Sequence, residues 1–498
     1  MITINFEKRG NKTLTEFLYD SIRLQILDGT LLENEKLPSK RTLALHLGVS
    51  VITVQNAYMQ LIDEGYIYSI EKKGFFVSDI ARHFGGYKRD VGGAKFGRAS
   101  EKSACEENAC EEIACEEIAC EEIACEEIAS CSQPDKISYI ADFTSNAVAP
   151  EKFPFSLWSK TMRQVLSSEN ENLLKRTDVF GLPELRRAIC HYLKAFRNMN
   201  VFENQVIIGA GTESLYSMLV QFLGRDQIFA VENPGYHKAA EIFKLNGVKC
   251  IPVKIDGQGI IVSELNKAEA NVVHVSPSHH FPTGIIMNYK RRIELLNWAG
   301  KKNNRFIIED DYDSEFRFIG KPLSTLQSID ENGRVIYINT FSKTLSPSFR
   351  ISYMVLPISL AEKFSKKLGF YSCQVSSFEQ FTLARFIQDG NYEKHINKMK
   401  NYYRSLRNNL ITAIQMSKLS KVCSINEEDS GLHFLLTVQN KKNARALQEQ
   451  WKSRGIKIQL LSDYYYEEAD LEESFVVNYS GIKREEIAKI VKLMCKDL

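Results

Sequence analysis

Five stretches between residues 205 and 345 share one order: an apolar, strand-like run, then a turn rich in glycine, proline or polar residues, then helix-forming sequence. They are QVIIGAGTESLYSML, QIFAVENPGYHKAA, NVVHVSPSHHFPTG, NRFIIEDDYDSEF and RVIYINTFSKTL. Strands joined through helices pair in parallel, because the crossover carries the chain back to the starting edge of the sheet. The alternation therefore predicts an α/β domain built on a mostly parallel sheet over residues 138–498. Its functional side chains are expected on the turns at the carboxyl ends of the strands.

Residues 1–78 follow a different pattern. Apolar residues recur at helical spacing in Leu14, Phe17, Leu18, Ile22, Ile26 and Leu27, and Gly29 is placed to end that helix. Pro38 and Ser39 open a second helix, with Ser39 as its cap and Leu43, Ala44 and Leu47 as its buried face, and Gly48 then turns the chain. Ser50 caps a third helix whose Val54, Ala57, Tyr58 and Leu61 point inward, and YIYSIEKKGFFVS follows as a hairpin wing around Lys72, Lys73 and Gly74. Helix, glycine turn, helix and wing make a DNA-binding unit whose last helix enters the major groove by its first turn. Val51, Ile52, Thr53, Gln55 and Asn56 are then the candidates to meet base edges. Lys40, Arg41, Lys72 and Lys73 are the candidates for phosphates, with the capping serines Ser39 and Ser50 on the same surface. The alternative is a small helical protein-interaction module, since the charges of this domain nearly balance.

Between these parts, residues 79–137 hold CEENA followed by four copies of CEEIA. A five-residue step rotates a helix by about 140° net, so Cys and Ile spiral around it and form no stripe for a coiled coil. Dense glutamate and few large apolar groups predict a solvated linker. Six of the eleven cysteines lie here (Cys105, Cys110, Cys115, Cys120, Cys125 and Cys131), spaced too widely for the tight pairs of structural zinc. A long chain without a small-domain cysteine framework points to reduced thiols. The sequence shows no 18-residue apolar run and no signal-like amino terminus, so a cytoplasmic protein is expected.

The chemistry concentrates in IYINTFSKTLSPSFRISYM, where Lys343 sits among hydroxylated residues with Arg350 seven positions on. A lysine in such a loop suits a Schiff base to an aldehyde, with the arginine on a phosphate. Gly211, Thr212 and Glu213 open a helix whose amides suit an anion. In order and content the five runs resemble the class I aminotransferase fold, a fold type I transferase that binds pyridoxal 5′-phosphate (PLP), over residues 140–498. That resemblance implies an aldimine at Lys343, and phosphate contacts from Arg350, Thr340 and Thr212, with Glu213 beside them. It implies Asp310 on the pyridine nitrogen, Tyr312 on the ring hydroxyl and Tyr236 stacked on the ring. The histidines His279 and His280 are assigned to a loop beside the ring and not to a metal, because the sequence offers no further cluster to complete a coordination sphere.

The segment ILDGTLLENEKLPSKRTLALHLGVSVITVQNAYMQLIDEGYI is similar to the GntR-type winged helix, except that Val51 stands where that family usually has arginine. Winged helix, linker and aminotransferase-like domain together resemble the MocR (GabR and PdxR) regulators, which implies a PLP-dependent, DNA-binding transcription regulator. It also implies a head-to-tail homodimer with each winged helix against the partner's aminotransferase domain, and PLP or an amine as effector. Two positions depart from the aminotransferase pattern. Val476 in SFVVNYSGI replaces the arginine that clamps a substrate carboxylate, leaving Lys238 as a possible substitute, and Arg176 replaces a phosphate-contacting tyrosine. The alternatives are an active aminotransferase with an autoregulatory winged helix, and a thiol or metal sensor working through the pentad cysteines.

Overall fold

The computed structural model describes residues 4–78 and 139–497, apart from residues 5, 10, 11, 71, 72, 146, 319–322, 428–430, 439–443 and 468–473. The pentad linker and Lys72 lie outside the described residues.

The amino-terminal part is three helices and a wing: α1 (Leu14–Leu27), α2 (Lys40–Leu47), α3 (Val51–Asp63), then β1 (Ile67–Ile70) antiparallel to β2 (Gly74–Val77). Each helix start has a local cause. Thr13 and Glu16 form a reciprocal capping box on α1, Ser39 Oγ accepts from Thr42 N, and Ser50 Oγ accepts from Thr53 N. Gly48 ends α2 at φ 66, a left-handed conformation that a glycine adopts without penalty. Leu18, Ile22, Leu43, Val54, Ala57 and Leu61 close a core in which the Tyr58 hydroxyl donates to Pro38 O, 2.9 Å away, and so ties α3 to the start of α2.

This core does not end with the winged helix, because Tyr289, Ile293 and Ile329 of the second domain pack into it. The Tyr66 and Tyr289 rings meet at 4.8 Å, Tyr289 N donates to Glu64 O at 2.8 Å, and Arg317 pairs with Asp63. These contacts join the winged helix to the second domain within the chain.

The second domain contains an eight-stranded sheet in the order Val206–Gly209, Ser352–Val355, Val335–Thr340, Phe306–Asp310, Val272–Val275, Ile228–Asn233, Lys249–Asp256, Gly259–Ile260. The pairings from Val335–Thr340 through to Lys249–Asp256 are all parallel. Ser352–Val355 runs antiparallel to both of its neighbours, and Gly259–Ile260 antiparallel to Lys249–Asp256. Val206–Gly209, Val272–Val275 and Val335–Thr340 are buried throughout, which is why they read as continuous apolar runs. Two of the five expected strand–helix units differ from expectation. After Phe306–Asp310 and Val335–Thr340 the chain enters short 3₁₀ turns, Ser314–Phe316 and Pro347–Phe349. Asp311 and Asp313 are held by side-chain partners there, and Pro347 has no N–H to continue a helix. A smaller lobe packs the long helix Asn391–Gln415 and the helix Ile487–Met494 against a four-stranded antiparallel sheet. No helix among the described residues is long and apolar enough to cross a membrane.

Candidate functional site

The carboxyl ends of the parallel strands surround a cavity of about 210 Å³. All eight residues expected to hold the cofactor line it: Thr212, Glu213, Tyr236, Asp310, Tyr312, Thr340, Lys343 and Arg350. Lys238, Ser276, Phe281, Ser342 and Pro347 complete the lining.

Lys343 reaches the cavity from the turn after Val335–Thr340, half-buried, its ammonium 6.0 Å from the centre of the Tyr312 ring. Loss of hydration pushes its amine down to about 8, although the carboxylates Asp313 and Asp310 oppose the shift. Asp310 ends the neighbouring strand. Its Oδ2 accepts from the Tyr216 hydroxyl at 2.7 Å with His274 Nε2 at 3.5 Å, while its buried Oδ1 has no hydrogen-bond partner. An orphaned carboxylate oxygen beside the cavity fits a protonated ring nitrogen, which supplies the missing donor.

The opposite end suits a phosphate. Thr212 starts the helix Thr212–Leu223, and Gly211 before it has φ 89. A Cβ on Gly211 would stand 2.2 Å from Arg350 Nη2, so the guanidinium lies against the bare backbone at the helix start. Thr340 Oγ1 accepts from Ser342 N and from the Ser352 hydroxyl, and the Ser342 hydroxyl is buried without a partner. Lysine, unpaired carboxylate oxygen and phosphate cup fit PLP, which when bound supplies an electrophilic carbonyl and an electron-withdrawing ring.

Several residues of the site were missed from sequence. Tyr216 and His274, which orient Asp310, lie mid-helix and mid-strand without any local signal. Phe281 was inside the quoted SPSHHFPTG loop, and Ser342 adjoins Lys343. The histidines also require a correction. The expectation was that His279 and His280 have no companions, yet His279, Asp313 and His433 bring donor atoms within 4.8 Å of one another, because the small lobe delivers His433 across the fold. His279 Nδ1 lies 2.8 Å from Asp313 Oδ2 and 3.2 Å from the Tyr312 hydroxyl, so it orients Tyr312. Burial holds His280 down to about 3 and pushes Glu232, 3.5 Å away, up to about 8, a neutral pair under the loop.

Val476 is buried in the small-lobe sheet, paired with Leu435 and Gln459, and does not line the cavity. Lys238, the possible substitute clamp, is bound to Glu213 at the phosphate end. Arg176 is engaged with Ser372 Oγ and Phe370 O.

On the winged helix, Ile52 and Val51 are exposed at 70 % and 42 %, beside exposed Gln55 and half-buried Thr53 and Asn56. Exposed Arg41 and half-buried Lys40, whose Nζ lies 3.5 Å from Gln55 Oε1, flank that turn, and Lys73 is exposed on the wing. Exposed Val51 and Ile52 offer apolar contact of the kind that meets thymine methyl groups. Ser39 and Ser50 are exposed but committed to their caps.

Residues 140–493 match the family Aminotransferase class I and II, and residues 14–77 match Bacterial regulatory proteins, gntR family. The uncharacterized HTH-type transcriptional regulator YdeL of Bacillus subtilis is 35 % identical over 96 % of this chain and 95 % of its own. The probable rhizopine catabolism regulatory protein MocR of Rhizobium meliloti is 30 % identical, with 93 % and 90 % covered. The chain belongs to the MocR-type transcriptional regulators. A Pyrococcus horikoshii kynurenine aminotransferase shares the fold of the second domain, with a TM-score of 0.63, 23 % identity, and 72 % of this chain and 90 % of that one covered. The cofactor of a MocR-type regulator is PLP, and the cavity fits it.

Proposed function

We propose that this MocR-type regulator senses PLP, or an amine that reacts with it, through Lys343, and converts occupancy into a change in operator affinity. The reading assigns residues 1–78 to DNA binding, 138–498 to ligand sensing, and the protein to the cytoplasm as a homodimer.

One observation carries it. The loop that lines the cavity at Ser276 and Phe281 continues into the helix on which the winged helix sits. Pro277 O accepts from Met287 N at 3.0 Å and from Arg292 Nη2 at 2.8 Å. Asn288 caps that helix, and the amide of Tyr289 binds Glu64 O at the end of α3. A ligand that shifts the loop therefore acts on the end of the recognition helix through packed, hydrogen-bonded groups. Such a shift changes DNA affinity only by as much as the ligand prefers one arrangement over the other.

The cavity also favours sensing over transamination, because among the described residues its cations are Lys238, Lys343 and Arg350, and Val476 stands in the small-lobe sheet where the clamp arginine is expected. The aminotransferase alternative keeps support from the orphaned Asp310 oxygen and the lowered Lys343 amine. A gel-shift titration of the protein's own upstream region with PLP and a panel of amines, beside Lys343→Ala, tests the proposal. Binding indifferent to every ligand and to the substitution counts against it. Steady turnover of an amino acid with 2-oxoglutarate, lost in Lys343→Ala, favours the enzyme.

A further inference from the structure

The phosphate end of the cavity carries its own acid. Glu213 follows Thr212 in the first turn of the helix Thr212–Leu223, where a bound phosphate meets the helix amides. Its two carboxylate oxygens are divided: Oε2 accepts from Arg350 Nη2 at 2.7 Å, and Oε1 accepts from Lys238 Nζ. Each side chain is about half exposed, at 40 % for Glu213, 45 % for Arg350 and 54 % for Lys238, so all three can exchange partners with solvent or with an arriving anion. Among the described residues, the other acid lining the cavity is Asp310, which is turned toward Tyr216 and His274.

We propose that Glu213 is a built-in competitor for phosphate: it pairs with Arg350 and Lys238 and must yield them to a phosphorylated pyridoxal-type aldehyde. This rests on the reading that the cavity takes PLP, and it deepens that reading by giving the site a reason to release its ligand. The arriving dianion faces two cations and one carboxylate, not two cations alone. A carboxylate left within a few ångströms in a half-exposed setting costs on the order of tenfold in affinity for a dianion. A sensor with such a competitor binds reversibly, where an enzyme's cup would retain its cofactor.

The test is PLP titration of the full-length protein, read by the absorbance of lysine-bound cofactor, with release followed after dilution. Glu213→Gln keeps the shape and removes the charge. It is expected to bind about tenfold more tightly and release more slowly. Lys238→Gln leaves Glu213 less compensated and is expected to weaken binding, and adding Glu213→Gln in that background is expected to recover it. Both side chains are exposed, so neither change threatens the fold.

A Glu213→Gln protein that binds PLP no more tightly than wild type overturns the proposal. If that protein still loses its PLP-dependent DNA response on Lys343→Ala, the functional reading stands without it. Failure of the wild type to bind PLP at all removes both.

Discussion

Gly65 gives the sharpest handle on how the two domains communicate. It closes the recognition helix at φ 77, and an added Cβ would stand 2.8 Å from Asn288 Cβ and 3.4 Å from Tyr289 N. Gly65→Ala therefore carries two costs. A residue with a Cβ in the left-handed region costs about 1–2 kcal/mol. The overlap then forces Asn288 or the end of α3 to move, and overpacking of this kind costs about 1–3 kcal/mol. The movement strikes the Tyr66–Tyr289 ring pair and the Tyr289 N to Glu64 O hydrogen bond. Gly29→Ala separates the two costs, because Gly29 has φ 79 and an added Cβ there meets nothing within 4 Å. Thermal unfolding is expected to show the smaller loss for Gly29→Ala and the sum for Gly65→Ala. The deciding assay is operator affinity by fluorescence anisotropy, with and without PLP. Couplings of this type are worth about 1–3 kcal/mol, a five- to 150-fold change in affinity. Gly29→Ala should keep the wild-type ratio, and Gly65→Ala should bring it to within about twofold of one. An unaltered ratio in Gly65→Ala would refute transmission through the docked junction.

Three further outcomes are expected. The neutral amine is the nucleophile, and burial pushes Lys343 down to about 8, so the rate of PLP capture should rise with pH to half its plateau near that value; stopped-flow traces flat across it would contradict the assignment. Arg41→Ala, on an exposed side chain, should weaken DNA binding across sequences and lower the salt-dependence slope by about one, with PLP titration unchanged. Arg197→Leu should destabilise the fold by about 3–5 kcal/mol in denaturant unfolding, because Asp311 pairs with Arg197 at 2.6 Å in the buried interior and would be left without its cation.

Much of the fold was legible because its signals are local. The capping serines Ser39 and Ser50, the glycine turn at Gly48 and the 3.6-residue periodicity of α3 each act within a few residues of chain. The same holds for the strand runs, and strand ends are where an α/β sheet places its ligand site. The three aspartates of EDDYD show where such reading stops. Asp310 meets Tyr216 and the cavity, Asp311 meets buried Arg197, and Asp313 meets His279. Their partners lie 94, 114 and 34 residues away in sequence, so no local pattern distinguishes the three roles.

The sequence by itself determined the two kinds of domain, the lysine, arginine and threonines of the cavity, and the face of α3 that turns outward, since backbone geometry and side-chain periodicity fix all of these over short spans. Tertiary structure alone decided which distant groups meet. It placed His433 beside His279 and Asp313, paired Glu213 with both Arg350 and Lys238, and seated Tyr289 against Tyr66 at the end of the recognition helix. Those contacts are set by how whole layers pack, and the free energy of a charge or a hydrogen bond depends on that surrounding packing more than on the neighbours in the chain.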